Sequence, residues 1–253
     1  MEAAVLASGS KGNATYVEMD GVRLLIDAGI SATRIKKALA AIGKDAGAID
    51  AILLTHEHRD HIAGLATLSK WYHLPIFTRP GTMAELKGKV AVPEDELHAV
   101  HDAFSFDGLH ILPFPTSHDA ADSCGFRICG SKCCALATDL GFVTQNVQEA
   151  VDGADVAILE ANHDLDMLKN GRYPWPLKRR ILSNRGHLTN ADAAWALVRM
   201  QMRPKHVVLA HLSEENNRPE LAQETVSDIL HEQGAAVEDL RLASQNQTVR
   251  IRQ

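Results

Sequence analysis

Long apolar runs are absent from this 253-residue sequence, and so is a signal-like leader. A membrane-spanning helix needs about 20 consecutive apolar residues, and no stretch of the chain provides them. Met1 and Glu2 lead directly into a strand-like segment and not into the apolar core of a signal peptide. We therefore expect a protein with no membrane partner and a cytoplasmic location.

Cysteine is scarce, and the four that occur are bunched between Cys124 and Cys134. A structural zinc site usually takes ligands from two separated pairs. Here Cys133 and Cys134 are adjacent in an apparent strand, so their side chains should point to opposite faces of a sheet. We therefore predict reduced thiols that hold no metal.

Positive charge is also in short supply, because the formal net charge is −6 at pH 7. Overall charge of this sign does not favour a nucleic-acid partner, so such a partner would need a local basic patch. The segment from Asn162 to His206 provides one, with nine basic and three acidic side chains.

Strands and helices alternate along both halves of the chain, which predicts an α/β fold with sheets covered by helices. Ser31 is predicted to cap a helix that reaches Ile42, and another helix should extend to about His73. Asn190 is predicted to cap a later helix. The proline-containing basic stretch between residues 163 and 186 is predicted to be a loop.

The stretch "LLTHEHRDHIAG", residues 53 to 64, holds three histidines and an aspartate within six positions. The apolar segment 51–54 precedes this cluster, so the cluster lies where a buried strand ends. His56 and His58 should project to the same side of an extended segment, whereas Asp60 and His61 face a second point. Burying so many ionisable groups is costly unless they are coordinated. The pattern therefore predicts ligands for two metal ions close together.

Further polar side chains follow predicted strands, namely His118, Asp139, Glu160 and His211. Catalytic groups collect at strand ends, where side chains from several strands can converge on one cleft. Asp139 is a candidate for a bridging ligand, because one carboxylate can neutralise part of the charge of two dications. Zinc and manganese both suit histidine and carboxylate ligands, and the sequence does not choose between them.

These motifs resemble those of the metallo-β-lactamase superfamily. "THEHRDH" matches its His-x-His-x-Asp-His signature, and "TSHD", "TDLG" and "AHLS" follow in the order of its later ligand motifs. The resemblance covers residues 1–253 and implies a single domain of two αβ halves, a four-layer αβ/βα sandwich with a dinuclear site between the sheets. It also implies the ligands: His56, His58 and His118 for the first metal, Asp60, His61 and His211 for the second, and Asp139 as the bridge.

Glu160 in "LEANHD" and His187 in "NRGHLT" bear on the substrate class. They resemble a pair in the nuclease branch of the superfamily, where an acidic strand end follows the bridging aspartate and a later Gly-His precedes the last histidine ligand. A carboxylate can orient an imidazole, which then binds a phosphate oxygen or protonates a leaving alkoxide. The alternative is that Glu160 is a helix-end carboxylate and His187 a loop histidine with no catalytic role.

More narrowly, the chain resembles the YycJ (WalJ) family of small metallo-β-lactamase-fold exonucleases. The matching stretches include "SGSKGNATYV", "EANHD", "NGRYPWPLKRRILSNRGHLTN" and "HLSEENN", although Lys11 stands where a small residue is expected. The family implies metal-dependent degradation of nucleic acid from a 5′ end, with DNA favoured over RNA. In the expected mechanism two metals activate a bridging hydroxide. The expected catalytic residues are Asp60, Asp139, Glu160 and His187.

Substrate contacts must come from local loops. Only 20 residues lie between Asp139 and Glu160 and 26 between Glu160 and His187, which leaves no room for the β-CASP cap of RNA-processing relatives. Tyr173 and Trp175 can stack on bases, unless they are core aromatics beside a solvated basic face. Arg59, inside the signature, is predicted to be structural. The predicted substrate contacts are Asn13, His163, Tyr173, Lys178, Arg179 and Arg180.

Two other functions remain open. A thioesterase or lactonase similar to glyoxalase II would use the same metals on acyl substrates and would give the basic segment no role. A non-catalytic regulatory or DNA-binding protein would keep the fold as a scaffold, but such a protein has no need of a complete ligand set. The sequence does not indicate an oligomeric state.

Overall fold

The computed structural model describes residues 1–253 and contains two seven-stranded sheets built on one plan. The order of strands is β14-β1-β2-β3-β4-β5-β6 in the first sheet and β13-β12-β11-β10-β9-β8-β7 in the second. Each sheet has antiparallel pairs at one end and three parallel pairs at the other. The strands are β1 (Glu2–Ala7), β2 (Ala14–Met19), β3 (Val22–Ile26), β4 (Ala51–Leu54), β5 (Ile76–Thr78), β6 (Leu97–Ala99), β7 (Phe104–Phe106), β8 (Leu109–Pro115), β9 (Cys124–Cys129), β10 (Cys133–Ala137), β11 (Val156–Glu160), β12 (His206–Ala210), β13 (Asp239–Leu242) and β14 (Val249–Arg252).

Helices cover the outer face of each sheet, and none of them combines the length and apolar character needed to span a bilayer. Short 3₁₀ turns occur at residues 46–48 and 94–96. The helices are α1 (Ala32–Ala41), α2 (Arg59–Ile62), α3 (Leu65–Tyr72), α4 (Pro80–Leu86), α5 (Gln145–Val151), α6 (Leu165–Asn170), α7 (Trp175–Ile181), α8 (Asn190–Val198) and α9 (Pro219–Glu232).

The core has three apolar layers because successive residues of a strand face opposite sides of its sheet. Leu53 of β4 packs between the sheets with Phe126 and Ile158, whereas Leu54 faces the helices with Ile35 and Leu65. A matching outer layer joins the second sheet to α5, α8 and α9. The predicted four-layer αβ/βα sandwich is confirmed.

The basic segment differs from its prediction, because it forms α6 and α7 and not a loop. The side chain of Asp164 caps α6 by accepting from the backbone N–H of Met167. Pro176 lies in the first turn of α7, where proline is tolerated because the first N–H groups of a helix have no partner within the helix. Prolines that suggested a loop therefore begin a helix.

Two smaller predictions of helix boundaries are also corrected. Thr189, and not Asn190, caps α8, and its hydroxyl and the carboxylate of Asp192 form a reciprocal capping box. The helix after the histidine cluster is broken at Gly64 into α2 and α3. Ser31 caps α1 as predicted.

The prediction that all four cysteines are reduced is wrong for two of them. Cys129 and Cys133 face each other across the β9–β10 hairpin and form a disulfide. Cys124 and Cys134 are free and buried, and burial raises the pKa of the Cys134 thiol to about 12. The adjacent Cys133 and Cys134 lie on opposite faces, as expected.

Candidate metal centre and substrate cavity

The predicted metal ligands come from loops that follow strands of both sheets. His56 to His61 follow β4, His118 follows β8, Asp139 follows β10 and His211 follows β12. The fold brings these loops together at the same end of the two sheets. Within each of two groups, His56–His58–His118 and Asp60–His61–His211, the candidate ligand atoms lie within 4.8 Å of one another.

Asp139 lies between the two groups. Its Oδ1 is 3.7 Å from His118 Nε2 and 3.5 Å from His211 Nε2, and its Oδ2 is 3.4 Å from His61 Nε2. A carboxylate in this position can contact ions held by either group, which is the geometry expected of a bridging ligand.

Several buried polar atoms at this centre have no hydrogen-bond partner in the protein. They are His56 Nε2, Asp139 Oδ2 and His211 Nε2. A buried polar atom without a partner costs about 1 to 3 kcal/mol, so converging atoms of this kind indicate a site that binds a ligand. Imidazole nitrogen and carboxylate oxygen are ligands that divalent transition metals accept. The residues therefore fit divalent metal ions.

A second set of contacts orients the imidazoles. His61 Nδ1 is 2.8 Å from Asp27 Oδ2, His118 Nδ1 is 3.3 Å from the carbonyl of Gly186, and His211 Nδ1 is 3.3 Å from Glu160 Oε1. When Nδ1–H donates to an oxygen, Nε2 keeps its lone pair for a metal. The surrounding residues thus select the ring nitrogen that faces the centre.

Asp27 is a buried functional candidate that the sequence analysis missed. Besides His61, it accepts from the backbone N–H and the hydroxyl of Thr55. Its φ of 60° is left-handed, as are those of Asp139 (59°) and His211 (57°). Non-glycine residues with positive φ are uncommon and cluster at functional sites. The available signal was an acidic residue directly after the apolar strand in "LLIDAG", the same pattern that identified Asp139.

The environment also shifts the charges of the ligands. Burial, with a smaller contribution from the nearby His61, lowers the pKa of His56 well below the ordinary histidine value. Burial opposes the charged form of Asp139, but His211 and His61 outweigh it and hold the pKa of that carboxyl well below its usual range. Burial opposes the charged forms of His61 and His211, but nearby carboxylates outweigh it and raise the pKa of both well above the ordinary histidine value. A neutral imidazole and an ionised carboxylate are the forms that bind metals, so metal binding would displace the protons of these two rings.

Glu160 and His187 form the pair that the sequence analysis predicted. Glu160 is fully buried, and its Oε1 accepts from His187 Nδ1 at 2.7 Å while also lying 3.3 Å from His211 Nδ1. The backbone N–H of Leu140 donates to Oε2 at 2.6 Å. With Nδ1 facing Glu160, the Nε2 of His187 is available to a substrate, because this atom makes no hydrogen bond to the protein. Glu160 therefore orients both His187 and a candidate metal ligand.

A cavity of about 270 Å³ opens above the ligands and His187. Its outer wall includes Tyr173, Arg180 and Arg185. Arg180 Nε lies 2.5 Å from Asp119 Oδ2, whereas the guanidinium of Arg185 makes no hydrogen bond or ion pair. Arg185 was counted among the basic residues, but its place at the cavity was not predicted.

Tyr173 and Arg180 are the predicted substrate contacts that line this cavity. The side chain of Arg179 is exposed and points elsewhere. Lys178 is buried, and its Nζ donates to the carbonyls of Lys169 and Gly171, both at 2.7 Å. Its amine joins the end of α6 to α7 and does not line the cavity, and its contact with a substrate stays a prediction.

Asn13 and His163 are also buried and line no part of the cavity. The amide of Asn13 contacts the carbonyl of Gly9 and the backbone and side chain of Asp60, so it braces one candidate ligand. Burial lowers the pKa of His163 to about 4. Neither side chain reaches the cavity, and the direct substrate contact of both residues stays a prediction.

Gly29 explains how the loop of the cluster is held so close to the first sheet. A Cβ atom at this position would lie 1.6 Å from the carbonyl oxygen of Asp60. The backbone N–H of Asn13 donates to the same oxygen at 2.8 Å. A side chain at position 29 would push Asp60 away from the other ligands.

Comparisons with known proteins agree with this architecture. The family model described as a β-lactamase superfamily domain matches residues 22–212. The chain is 41% identical over 242 residues to exodeoxyribonuclease YycJ of Bacillus anthracis, covering 92% of this chain and 90% of the relative. It is 39% identical over 229 residues to exodeoxyribonuclease WalJ of Streptococcus pneumoniae serotype 2, covering 88% and 85%. The solved structure of the metallo-β-lactamase fold protein YhfI from Bacillus subtilis matches over 99% of both chains with a TM-score of 0.73 at 16% identity, a likeness of fold alone.

Proposed function

This chain belongs to the β-lactamase superfamily and, within it, to the family of the exodeoxyribonucleases YycJ and WalJ, and we propose that it is a metal-dependent phosphodiesterase that degrades DNA from an end. The observation that carries the proposal is the Glu160–His187 pair. Its imidazole lies 3.8 Å from Asp139 and lines a cavity that also presents arginine side chains. A pair of this kind beside a metal centre suits a phosphate and its leaving oxygen.

We assign two divalent metal ions, zinc or manganese, to the centre. His56, His58 and His118 would hold the first ion, Asp60, His61 and His211 the second, and Asp139 would contact both. When bound, the ions supply positive charge against the scissile phosphate and make the attacking water more acidic. Asn13 and Asp27 hold Asp60 and His61 in place through the contacts described above.

His187 is assigned the proton transfer at the leaving group. Its Nδ1–H donates to the buried Glu160, so the neutral ring presents Nε2 to the cavity, and the protonated ring can donate from the same atom. His187 thereby stabilises or protonates the leaving oxygen, while Glu160 positions it.

We assign substrate binding to the outer wall of the cavity. Arg180 and Arg185 place guanidinium groups at the cavity, where they can contact phosphate oxygens. Tyr173 offers a ring to the terminal base. Asp119 fixes Arg180 through their ion pair, so this arginine is held in place before substrate arrives.

The finer assignments are DNA as the substrate, attack from the 5′ end and action in the cytoplasm. The choice of DNA is supported by the names of the relatives that align over most of this chain. The 5′ polarity is part of what the family resemblance implies. An enzyme that degrades DNA in a bacterial cell would work in the cytoplasm, where that substrate is.

The test is a panel of substrates offered to the manganese- and zinc-loaded protein. It should hydrolyse bis(p-nitrophenyl) phosphate and a 5′-phosphorylated DNA oligonucleotide, and act more slowly on RNA of the same sequence. His187→Ala should slow the DNA reaction about 100- to 10,000-fold. Hydrolysis of S-lactoylglutathione with no cleavage of DNA would replace the proposal with an acyl hydrolase.

A further inference from the structure

A second groove adjoins the substrate cavity. It measures about 500 Å³ and shares Ser10 and Asp60 with that cavity, so the two adjoin at these residues. The remaining wall comes from the turn after β1, the start of α1 and the start of α2. Nothing in the mechanism above uses this groove.

Three basic side chains line the groove, namely Lys11, Arg34 and Arg59, and Asp60 is its single acidic residue. The local balance is therefore positive in a protein whose net charge is −6. Because Asp60 is assigned to a metal, its charge would be neutralised in the loaded protein. The basic residues would then dominate the electrostatic field of the groove.

Arg59 is the most informative of the three. Its side chain is exposed and makes no hydrogen bond or ion pair, although it is next to Asp60 in the signature. The sequence analysis predicted a structural role, but the guanidinium has no polar partner in the protein. An unpaired arginine in a groove beside a metal centre is available to an anionic ligand.

The other two basic groups lie at the rim, and each has a partner in the protein. Lys11 Nζ contacts the exposed Glu214 at 2.5 Å. Arg34 uses Nη2 to donate to the carbonyl of Gln245 at 2.8 Å, which leaves its Nε and Nη1 without protein partners. Exposed ion pairs of this type contribute little to stability, so an incoming phosphate can compete for the Lys11 amine.

The lining also indicates which part of a nucleic acid fits. No aromatic side chain borders the groove, whereas Tyr173 borders the neighbouring cavity. Bases of a single strand stack chiefly on aromatic side chains, while phosphates are bound by charge. The composition of the groove favours a sugar–phosphate backbone over a base.

We propose that this groove, lined by Lys11, Arg34 and Arg59, holds backbone phosphates of the DNA strand adjacent to the scissile bond. The inference rests on the proposed function and adds a path for the strand, from the cavity that receives the terminal nucleotide across Asp60 into the groove. The strand would thus be gripped on both sides of the metal centre. Recognition here is independent of base sequence.

The test compares two variants that each remove two positive charges from the same region. Arg34→Ala/Arg59→Ala alters the groove, whereas Lys36→Ala/Lys37→Ala alters exposed positions on α1 that do not line it. Binding of a single-stranded oligonucleotide is measured at several salt concentrations. Loss of two phosphate contacts should reduce the slope of log affinity against log salt by about 1.4, at about 0.7 for each contact. The control variant should keep the wild-type slope.

A second measurement locates the phosphates. Oligonucleotides that carry one neutral methylphosphonate linkage at a time are bound to the wild type and to the groove variant. One or two linkages adjacent to the scissile position should weaken binding to the wild type and leave binding to the variant unchanged. If the double variant folds poorly, the experiment is repeated with Arg59→Ala alone, which breaks no hydrogen bond or ion pair within the protein.

The outcomes separate the two proposals. If the wild type binds DNA but does not cleave it, the proposed function is wrong, and the binding data still test whether the groove binds phosphates. If the wild type cleaves DNA and both variants keep its salt slope and methylphosphonate pattern, the groove is not a phosphate site. If the wild type does not bind DNA, the proposal that the groove holds backbone phosphates is wrong as well.

Discussion

Replacing Glu160 by glutamine tests whether one buried carboxylate serves both His187 and His211. Glutamine keeps the size of the side chain but has one acceptor oxygen and one donor NH₂ group. In the wild type Oε1 faces the two imidazoles and Oε2 accepts from Leu140 and Leu188. In either orientation of the glutamine amide, its NH₂ group therefore faces groups that are themselves donors: the two imidazoles in one orientation, and the backbone N–H groups of Leu140 and Leu188 in the other. One such mismatch should lower the free energy of unfolding by about 1 to 3 kcal/mol.

The effects on function should be larger than the effect on stability. The loss of a correctly oriented proton donor should slow DNA hydrolysis about 100- to 10,000-fold. Because Glu160 also contacts His211, metal affinity should fall by about 10- to 100-fold. His187→Ala should show the same loss of rate with its metal content intact. The double variant should be little slower than Glu160→Gln, because the two residues act as one unit.

Metal affinity is measured by competition with a chromophoric chelator, rate on an end-labelled oligonucleotide, and stability by thermal unfolding. Asp152→Asn is the matched control, since Asp152 also accepts from two backbone N–H groups, those of Gln201 and Met202. It should lose stability only. Loss of a metal in His187→Ala would make that residue a ligand, and a full rate on DNA would refute its role in proton transfer.

Three further substitutions test separate parts of the account. Arg180→Ala should weaken DNA binding and lower the slope of log affinity against log salt by about 0.7, as expected for one phosphate contact. Arg179→Ala should change this slope less. If the two variants have the same slope, the cavity wall does not bind DNA. Asp27→Asn should reduce metal affinity by about 10- to 100-fold in a metal titration, because His61 loses its carboxylate partner, and unchanged affinity would contradict that orienting role. Burial opposes the charged form of Glu2, but its ion pairs with Arg250 and Lys44 outweigh it and lower its pKa below the ordinary value. The stability that Glu2 contributes is present above its unfolded pKa and is lost as pH falls through the lower folded value. Glu2→Gln should therefore lower the urea midpoint near neutral pH, and the difference from wild type should shrink below about pH 4.

The sequence identified the candidate ligands because a general physical rule applies to them. Polar residues that directly follow buried strands converge at one end of a sheet, and His56, His118, Asp139 and His211 all obey that rule. Asp27 obeys it too and could have been found in the same way. The distances that decide which nitrogen faces the centre depend on contacts across the chain, such as the one from His118 to Gly186, and spacing along the sequence does not contain them.

The basic segment shows where sequence reasoning stopped. Lys178, Arg179 and Arg180 are adjacent, and in a loop all three could meet a substrate. In a helix, successive side chains diverge by about 100°, so α7 buries the first, exposes the second and turns the third to the cavity. The helix was missed because its prolines lie at the cap and in the first turn, where they are compatible with it.

The disulfide depends on the hairpin of β9 and β10. Its turn holds Gly130, Ser131 and Lys132, and the residues that flank this turn are Cys129 and Cys133. Their pairing follows from the register of that hairpin. The cysteines were considered as zinc ligands and as neighbours in one strand, and the cross-strand partner was not considered.

The most direct test of the central claim compares linear and circular forms of one single-stranded DNA with the metal-loaded protein. A phosphodiesterase that works from an end should convert the linear, 5′-phosphorylated form to mononucleotides and leave the circle intact. A 5′ label should be released at the start of the reaction and a 3′ label only at its end. Cleavage of the circle, or an intact linear strand in the presence of both zinc and manganese, would contradict the account.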